Sequence, residues 1–201
     1  MDLSSQFGPV DFGTDGPGDA SFALKLTGSD VGSGLYALDP TDTEGVIDGI
    51  GQGAEIVLNQ AENTITGSAG GKDYFTISVD PDTGKVTFEQ LNNIWHDNTA
   101  SDDDTQTLTL DQANLLQLVQ TVIDADGDKD TAAIDLGTSV FQIEDDGPSV
   151  TGVAGDTATP SKVVGNSTFL VVDEDNIVGG RGDSAPGDDA GAAGGVASGQ
   201  I

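Results

Sequence analysis

Four aspartates stand at alternate positions in the stretch DADGDKD: Asp124, Asp126, Asp128 and Asp130, with Gly127 near the middle. Carboxylates this close repel one another unless a positive charge lies between them. Calcium takes about six to eight oxygen ligands, and short acidic side chains on a tight turn supply them. If the four converge on one side of the turn, with the glycine letting the chain bend, the stretch is a calcium loop. The alternative is a solvated acidic turn. An EF-hand is excluded by spacing: counting from Asp124, Lys129 stands where glycine is needed and Asp135 where the closing glutamate belongs. What remains is a Dx[DN]xD-type calcium loop between strands.

A second candidate is the pair Asp145 and Asp146 in IEDDGPS, where one β-domain would hand over to the next. Paired acids at such a joint either share calcium with the neighbour or form a plain acidic linker. The stretches DNTASDDDT (Asp97 to Thr105) and VDEDN (Asp173, Glu174 and Asp175) carry the same two readings. Trp95-His96-Asp97 joins the only tryptophan to the only histidine and an acid. That trio could line a sugar-binding or hydrolytic site. The simpler expectation is that Trp95 packs over a sheet edge and His96 lies at the surface. Arg181 to Asp183 spell RGD, a tripeptide that arises often by chance. With no cysteine, one arginine and no Ser/His/Asp pattern, the chain is read as non-catalytic.

The composition agrees with loops full of short carboxylates. Of 35 acidic residues 29 are Asp, against 6 Lys and Arg, giving a net charge of −29. Asp favours turns and metal loops where Glu favours helices. This charge disfavours nucleic acid and anionic membrane as partners. It also opposes compaction unless counter-ions bind. Disorder is the competing inference, but 35% hydrophobic content arranged in short runs argues for a core. Without cysteine, metal is the natural cross-link for an extracellular chain. No run approaches transmembrane length, and the start lacks the basic and apolar regions of a secretory signal. The chain is therefore cytosolic, an excised piece, or exported by a route without an N-terminal signal.

The elements that must position these acids read as strands. In DYFTISVDPDTGKVTFEQ (73–90), Phe75, Ile77 and Val79 alternate with polar residues, Pro81-Asp82-Thr83-Gly84 turns the chain, and Val86 and Phe88 resume the alternation. That is a hairpin with one buried face. Phe22, Leu24 and Leu26 alternate likewise, as do Ile56 and Leu58. A further run holds Ile134 and Leu136, then Val140 or the phase of Phe141 and Ile143. Leu110 to Asp124 admits an amphipathic helix through Leu115, Leu118 and Val122, or a strand with Leu116, Leu118 and Gln120 on one face. The β-branched ending and the acidic loop that follows favour a strand over about 115–123. Short strands with turn signals between them give an all-β chain and suggest a β-sandwich. A boundary is placed near Gly147, dividing a unit at 1–147 from a partial second unit at 148–201, whose Gly-, Asp- and Ala-rich tail is too poor in apolar residues to pack by itself.

The stretch VIDADGDKDTAAIDLG followed by FQIEDDGPSV resembles the end of the long repeats of giant RTX adhesins, the type I secreted biofilm proteins of Gram-negative bacteria. VDFGTDGPGDASFALKLTG (Val10 to Gly28) and DYFTISVDPDTGKVTFEQ are similar to earlier parts of that repeat, and FLVVDEDN (Phe169 to Asn176) to the opening of the next. These matches cover most of residues 10–176 in the family's order. The resemblance implies a calcium-loaded, immunoglobulin- or cadherin-like β-sandwich with a mechanical role, extending or scaffolding a secreted cell-surface adhesin beside neighbouring repeats. It also implies a monomer and an excised fragment, starting inside one repeat and ending inside the next. GGRGD (Gly179 to Asp183) misses the GGxGxD spacing of RTX calcium rolls, so no such roll is expected. The alternative is a calcium-dependent carbohydrate- or peptide-binding module of such an adhesin.

Overall fold

A computed structural model describes residues 1–43, 49–98, 100–101 and 103–147, and the backbone of 170–173 and 196–197. The chain is all-β. A single 3₁₀ turn, Ser4–Gln6, is the one helical element among the described residues.

Ten strands come from the first part of the chain: β1 (Pro17–Leu26), β2 (Val31–Leu38), β3 (Gln52–Ala61), β4 (Thr64–Ala69), β5 (Lys72–Val79), β6 (Val86–Gln90), β7 (Thr105–Thr109), β8 (Leu116–Asp124), β9 (Lys129–Asp135) and β10 (Thr138–Glu144). Two short ones follow, β11 (Leu170–Asp173) and β12 (Val196–Ala197). They form a six-stranded sheet in the order β2-β3-β4-β5-β6-β12 and two three-stranded sheets, β1-β8-β9 and β7-β10-β11. Every pairing is antiparallel except that of β10 with β11.

The 73–90 hairpin forms as its alternation predicts. Val79 faces Val86 and Ile77 faces Phe88 across the β5–β6 ladder, and Phe75, Ile77, Val86 and Phe88 are fully buried. The turn holds itself: the Asp80 carboxylate accepts the backbone N–H groups of Asp82 and Thr83, both at 3.0 Å. The Thr83 N–H, first among several such bonds, keeps the Asp80 carboxyl below the usual carboxylate range.

Leu110 to Asp124 resolves as a strand over its second half. β8 carries Leu116, Leu118 and Gln120 on its buried face. It lies between β1 and β9, with Leu118 opposite Leu24 on one side and Ile134 on the other. Two ladders leave no room for a helix, and the β-branched Val119, Thr121, Val122 and Ile123 fit the pleat. In β10 the buried phase belongs to Phe141 and Ile143 rather than Val140. Ser139, at φ +60°, and a register shift between Thr138 and Gln142 reset the alternation there.

All three sheets contribute to one core. Ile56, Leu58, Ile65, Phe75 and Phe88 of the large sheet meet Leu24, Leu116 and Leu118 of the second and Leu108, Phe141 and Ile143 of the third. Phe88 stands between Phe75 at 5.3 Å and Phe141 at 5.2 Å, ring centroid to centroid, and so joins two sheets. Each such side chain contributes roughly 1.5–3 kcal/mol on burial, which makes this core, common to the sheets, the platform that fixes the loops. The boundary near Gly147 falls at the limit of the described residues. Of the readings made for 148–201, the RGD tripeptide and the acids Glu174 and Asp175 lie outside the described residues.

Candidate metal centre

Asp124, Asp126 and Asp128 lie in the turn beyond the last residue pair of the β8–β9 ladder, Ile123 opposite Lys129. The hairpin closes through the Asp124 N–H, which donates to the Asp128 carbonyl at 3.0 Å, and the Gly127 N–H, which donates to the Asp124 carbonyl at 3.3 Å. Gly127 sits at φ +99°, a conformation that side chains resist. The Asp124 carboxylate turns inward and accepts the N–H groups of Gly127 and Asp128 through one oxygen, at 3.0 and 2.9 Å.

The β1–β8 ladder reaches the same place from the other side. Pro17 pairs with Asp124, and the register slips between Pro17 and Asp19. Gly18, inside that slip, is pressed against β8: a Cβ there would lie 2.3 Å from the Ile123 carbonyl oxygen and 2.5 Å from that of Asp124. Just before it, the Ala125 N–H donates to the Gly16 carbonyl at 3.2 Å. This bond draws the loop before β1 over the hairpin and brings Asp15 beside it.

Oxygens of Asp15, Asp124 and Asp126 consequently lie within 4.8 Å of one another. Asp15 and Asp126 are exposed and Asp124 is half-buried. Calcium–oxygen distances of about 2.3–2.6 Å allow two ligands of one ion to be at most about 4.6–5.2 Å apart. The three groups therefore fit a common calcium ion, and as carboxylates they are hard oxygen donors suited to it. A hydrogen bond between the Asp126 and Asp124 carboxyls is the main influence holding Asp124 below the usual carboxylate range. Desolvation opposes it, and the N–H groups of Asp128, Gly127 and Asp126 add to it. Two carboxylates in such contact repel each other, and a cation between them would relieve that repulsion.

Of the four aspartates in the motif the structure joins Asp124 and Asp126, and it adds Asp15. Asp128 contributes its backbone to the turn, while its side chain lies outside the group. Asp130 already belongs to β9, paired with Val122, and its carboxylate accepts the N–H of Thr131 at 2.8 Å. Asp15 is the member sequence reasoning missed. Its signal was the Gly13-Thr14-Asp15-Gly16 turn, in which Gly13 and Gly16 both adopt positive φ.

Asp145 and Asp146 lie at the opposite kind of place. Thr105 of β7 pairs with Glu144 of β10, and the Asp145 N–H donates to the Asp104 carbonyl at 2.7 Å. The acidic run ending at Asp104 and the one at 144–146, separate in sequence, thus share one end of the β7–β10 pair. Donors are interleaved among them. Gln106 gives its amide to both Asp97 and Asp104, at 3.0 and 3.1 Å, and the Asp146 N–H bonds the Asp145 carboxylate at 3.0 Å. His96 Nδ1 is 3.9 Å from an Asp104 oxygen. The His96 side chain is only 5% exposed, a departure from the surface position expected of it. Trp95 packs edge-on against Tyr36, at 6.1 Å between centroids, and its indole N–H donates to the Ile50 carbonyl at 2.9 Å. The indole is anchored to the fold.

The family described as a domain of unknown function, DUF5801, matches residues 1–137. The chain belongs to this family. The DUF5801 span contains Asp15, Asp124 and Asp126 and ends just before β10. No curated protein and no solved structure matches the chain. Among the described residues no helix is long and apolar enough to cross a membrane.

Proposed function

We propose that this DUF5801 chain is a calcium-rigidified, immunoglobulin- or cadherin-like β-sandwich that serves as a non-catalytic extender or scaffold module of a secreted bacterial cell-surface adhesin, supporting adhesion and biofilm formation. The observation that carries the reading is the convergence of Asp15, Asp124 and Asp126 where two strand ladders end. The repeat-like order of motifs from Val10 to Asn176, similar to that of RTX adhesins, supports the setting. Neighbouring repeats of the same polypeptide are then the partners.

Each residue has a mechanical part in this reading. Asp124, held by the turn amides, is the fixed ligand. Asp126 comes from the tip of the same hairpin, and Asp15 from the loop that leads into β1. A calcium ion between them supplies positive charge and a cross-link, so that its binding free energy becomes folding free energy. The segment before β1 is then clamped to the β8–β9 hairpin, which resists peeling of β1 from β8 under tension. Part of the −29 charge is cancelled as well.

The test is single-molecule pulling combined with calcium titration calorimetry. Calcium is expected to raise the unfolding force and to release heat on binding, and Asp124→Asn is expected to abolish both effects. Equal forces in calcium and in chelator would overturn the mechanical reading.

A further inference from the structure

Four Asp-Gly steps occur in the chain: Asp15-Gly16, Asp48-Gly49, Asp126-Gly127 and Asp146-Gly147. In such a step the glycine nitrogen can attack the preceding carboxyl, because no side chain on the glycine hinders it. Two of the three acids gathered beyond the β8–β9 ladder, Asp15 and Asp126, stand in steps of this kind. Asp48 lies outside the described residues, and Asp146 is half-buried at their limit.

The structure separates Asp15 from Asp126. Both acids are exposed, and both glycines have positive φ, +93° at Gly16 and +99° at Gly127. A Cβ on either glycine would meet nothing within 4 Å. Their amides differ. The Gly127 N–H is held twice, donating to an Asp124 carboxylate oxygen at 3.0 Å and to the Asp124 carbonyl at 3.3 Å. A nitrogen fixed in this way cannot swing onto the Asp126 carboxyl without breaking the turn that closes the hairpin. The Gly16 N–H has no hydrogen-bond partner among the described residues; the Gly16 carbonyl alone is engaged, by the Ala125 N–H at 3.2 Å. The loop leading to it is exposed from Gly13 to Asp15, the kind of place where covalent change concentrates.

We propose that Asp15-Gly16 is a self-modification site at which the metal-free protein forms isoaspartate, and that calcium on the three carboxylates protects it. The Gly16 nitrogen bonds to the Asp15 Cγ. The amide proton and the carboxyl hydroxyl leave together as water, and a five-membered succinimide results. Water then opens the ring: at the side-chain carbonyl it restores aspartate, at the main-chain carbonyl it gives isoaspartate. One water is lost and one gained, so no oxidant or co-reactant is needed. Isoaspartate routes the backbone through the former side chain, lengthens it by a methylene and leaves the free carboxylate on the α-carbon. That displaces both the Asp15 oxygens and the Gly16 carbonyl held by Ala125, so modified protein loses the clamp. A carboxylate bound to a cation keeps its negative charge and has no hydroxyl to lose, which is the protection. The protection rests on the calcium reading above; the preference for Asp15 over Asp126 does not.

The experiment incubates the full chain at neutral pH, well below its Tm, in heavy-oxygen water, once with calcium and once with chelator. Peptide mapping reads succinimide turnover at each step as heavy oxygen incorporated, and electron-transfer fragmentation distinguishes isoaspartate from aspartate. In chelator, turnover at Asp15 is expected to exceed that at Asp126 at least fivefold, and calcium is expected to slow it at least fivefold. Synthetic peptides of residues 11–20 and 122–131 should turn over at similar rates, which assigns the difference to the fold. Asp124→Ala, which takes the carboxylate from the Gly127 N–H, should raise turnover at Asp126. Equal turnover at the two steps in chelator, or none at Asp15, would overturn the proposal. Turnover at Asp15 that leads in chelator but is untouched by calcium would instead overturn the protection, and count against the calcium reading alone.

Discussion

The two acidic ends of the molecule hold similar numbers of carboxylates and treat them differently. Around Asp104 and Asp145 donors lie among the acids: the Gln106 amide lies between Asp97 and Asp104, the Asp146 N–H bonds the Asp145 carboxylate, and the His96 imidazole stands nearby. Around Asp124 the donors reach a single oxygen of a single residue, and two carboxyls close on it, Asp126 from the tip of the same hairpin and Asp15 from the loop before β1. In the first arrangement protein donors reach the carboxylates of Asp97, Asp104 and Asp145. The second brings three carboxylates together with no protein donor between Asp15 and Asp126 among the described residues, an arrangement that a cation would stabilise. Acid count alone does not make a metal site; what matters is whether the fold places donors or further acids between the carboxylates.

The largest expected effect separates the two ends directly. In a thermal melt, saturating calcium at about a hundred times its Kd adds about 2.7 kcal/mol to the stability of a folded state that alone binds it. For a chain of this size that is a rise of roughly 5–10 °C in Tm. Asp124→Ala or Asp15→Ala should remove most of the rise, and Asp145→Ala should keep it. If Asp145→Ala also abolished the shift, the contrast drawn here would fail.

Next in size is Gly18→Ala. The added Cβ would meet the Ile123 and Asp124 carbonyl oxygens at 2.3 and 2.5 Å, so β1 must move off β8 next to the three carboxylates. Overpacking of this kind costs about 1–3 kcal/mol. Denaturant unfolding should show that loss even in chelator, together with a weakened calcium response. An unchanged calcium response would show that the β1–β8 approach does not set the position of Asp15.

Gln106→Ala tests the other end. It removes two amide hydrogen bonds to carboxylates, each worth roughly 1.5–3 kcal/mol at most and less where water replaces it, as at these partly exposed sites. A loss of about 1–2 kcal/mol, identical with and without calcium, is expected from chemical denaturation. A loss that calcium reverses would mean that this end also takes a cation.

What sequence made legible divides along the same line as these tests. The β5–β6 hairpin, the strand character of 116–124 and the buried faces of β1 and β3 follow from alternation within a few residues, which is local information. The phase of β10 is not legible in the pattern of apolar residues, because a positive φ at Ser139 resets it. In DADGDKD the spacing suggested four convergent ligands, yet strand geometry takes over at Lys129 and carries Asp130 into the ladder with Val122. Asp15 joins the group through a single backbone bond from Ala125 to Gly16 and through the tight passage at Gly18, contacts between segments far apart in the chain. Nor does sequence show that the acidic runs at 104 and 145 share one end of a strand pair, because that depends on the register of β7 against β10.

The smallest effect is also the one that reports most directly on the contrast. The Asp124 carboxyl lies below its ordinary range in the folded chain, chiefly through its hydrogen bond with Asp126. A depressed folded value means that its contribution to stability is fully present above the unfolded carboxylate range. It is lost as pH falls through the lower folded value. In metal-free protein, carbon-detected NMR of the carboxyl resonances should place the Asp124 midpoint below those of ordinary exposed aspartates, and Asp126→Ala, which removes the hydrogen bond, should move it upward. Calcium and protons compete for the same oxygens, so calcium affinity should fall as pH drops into the carboxylate range and hold steady above it. A calcium affinity independent of pH through that range would mean that Asp124 is not among the groups that hold the ion.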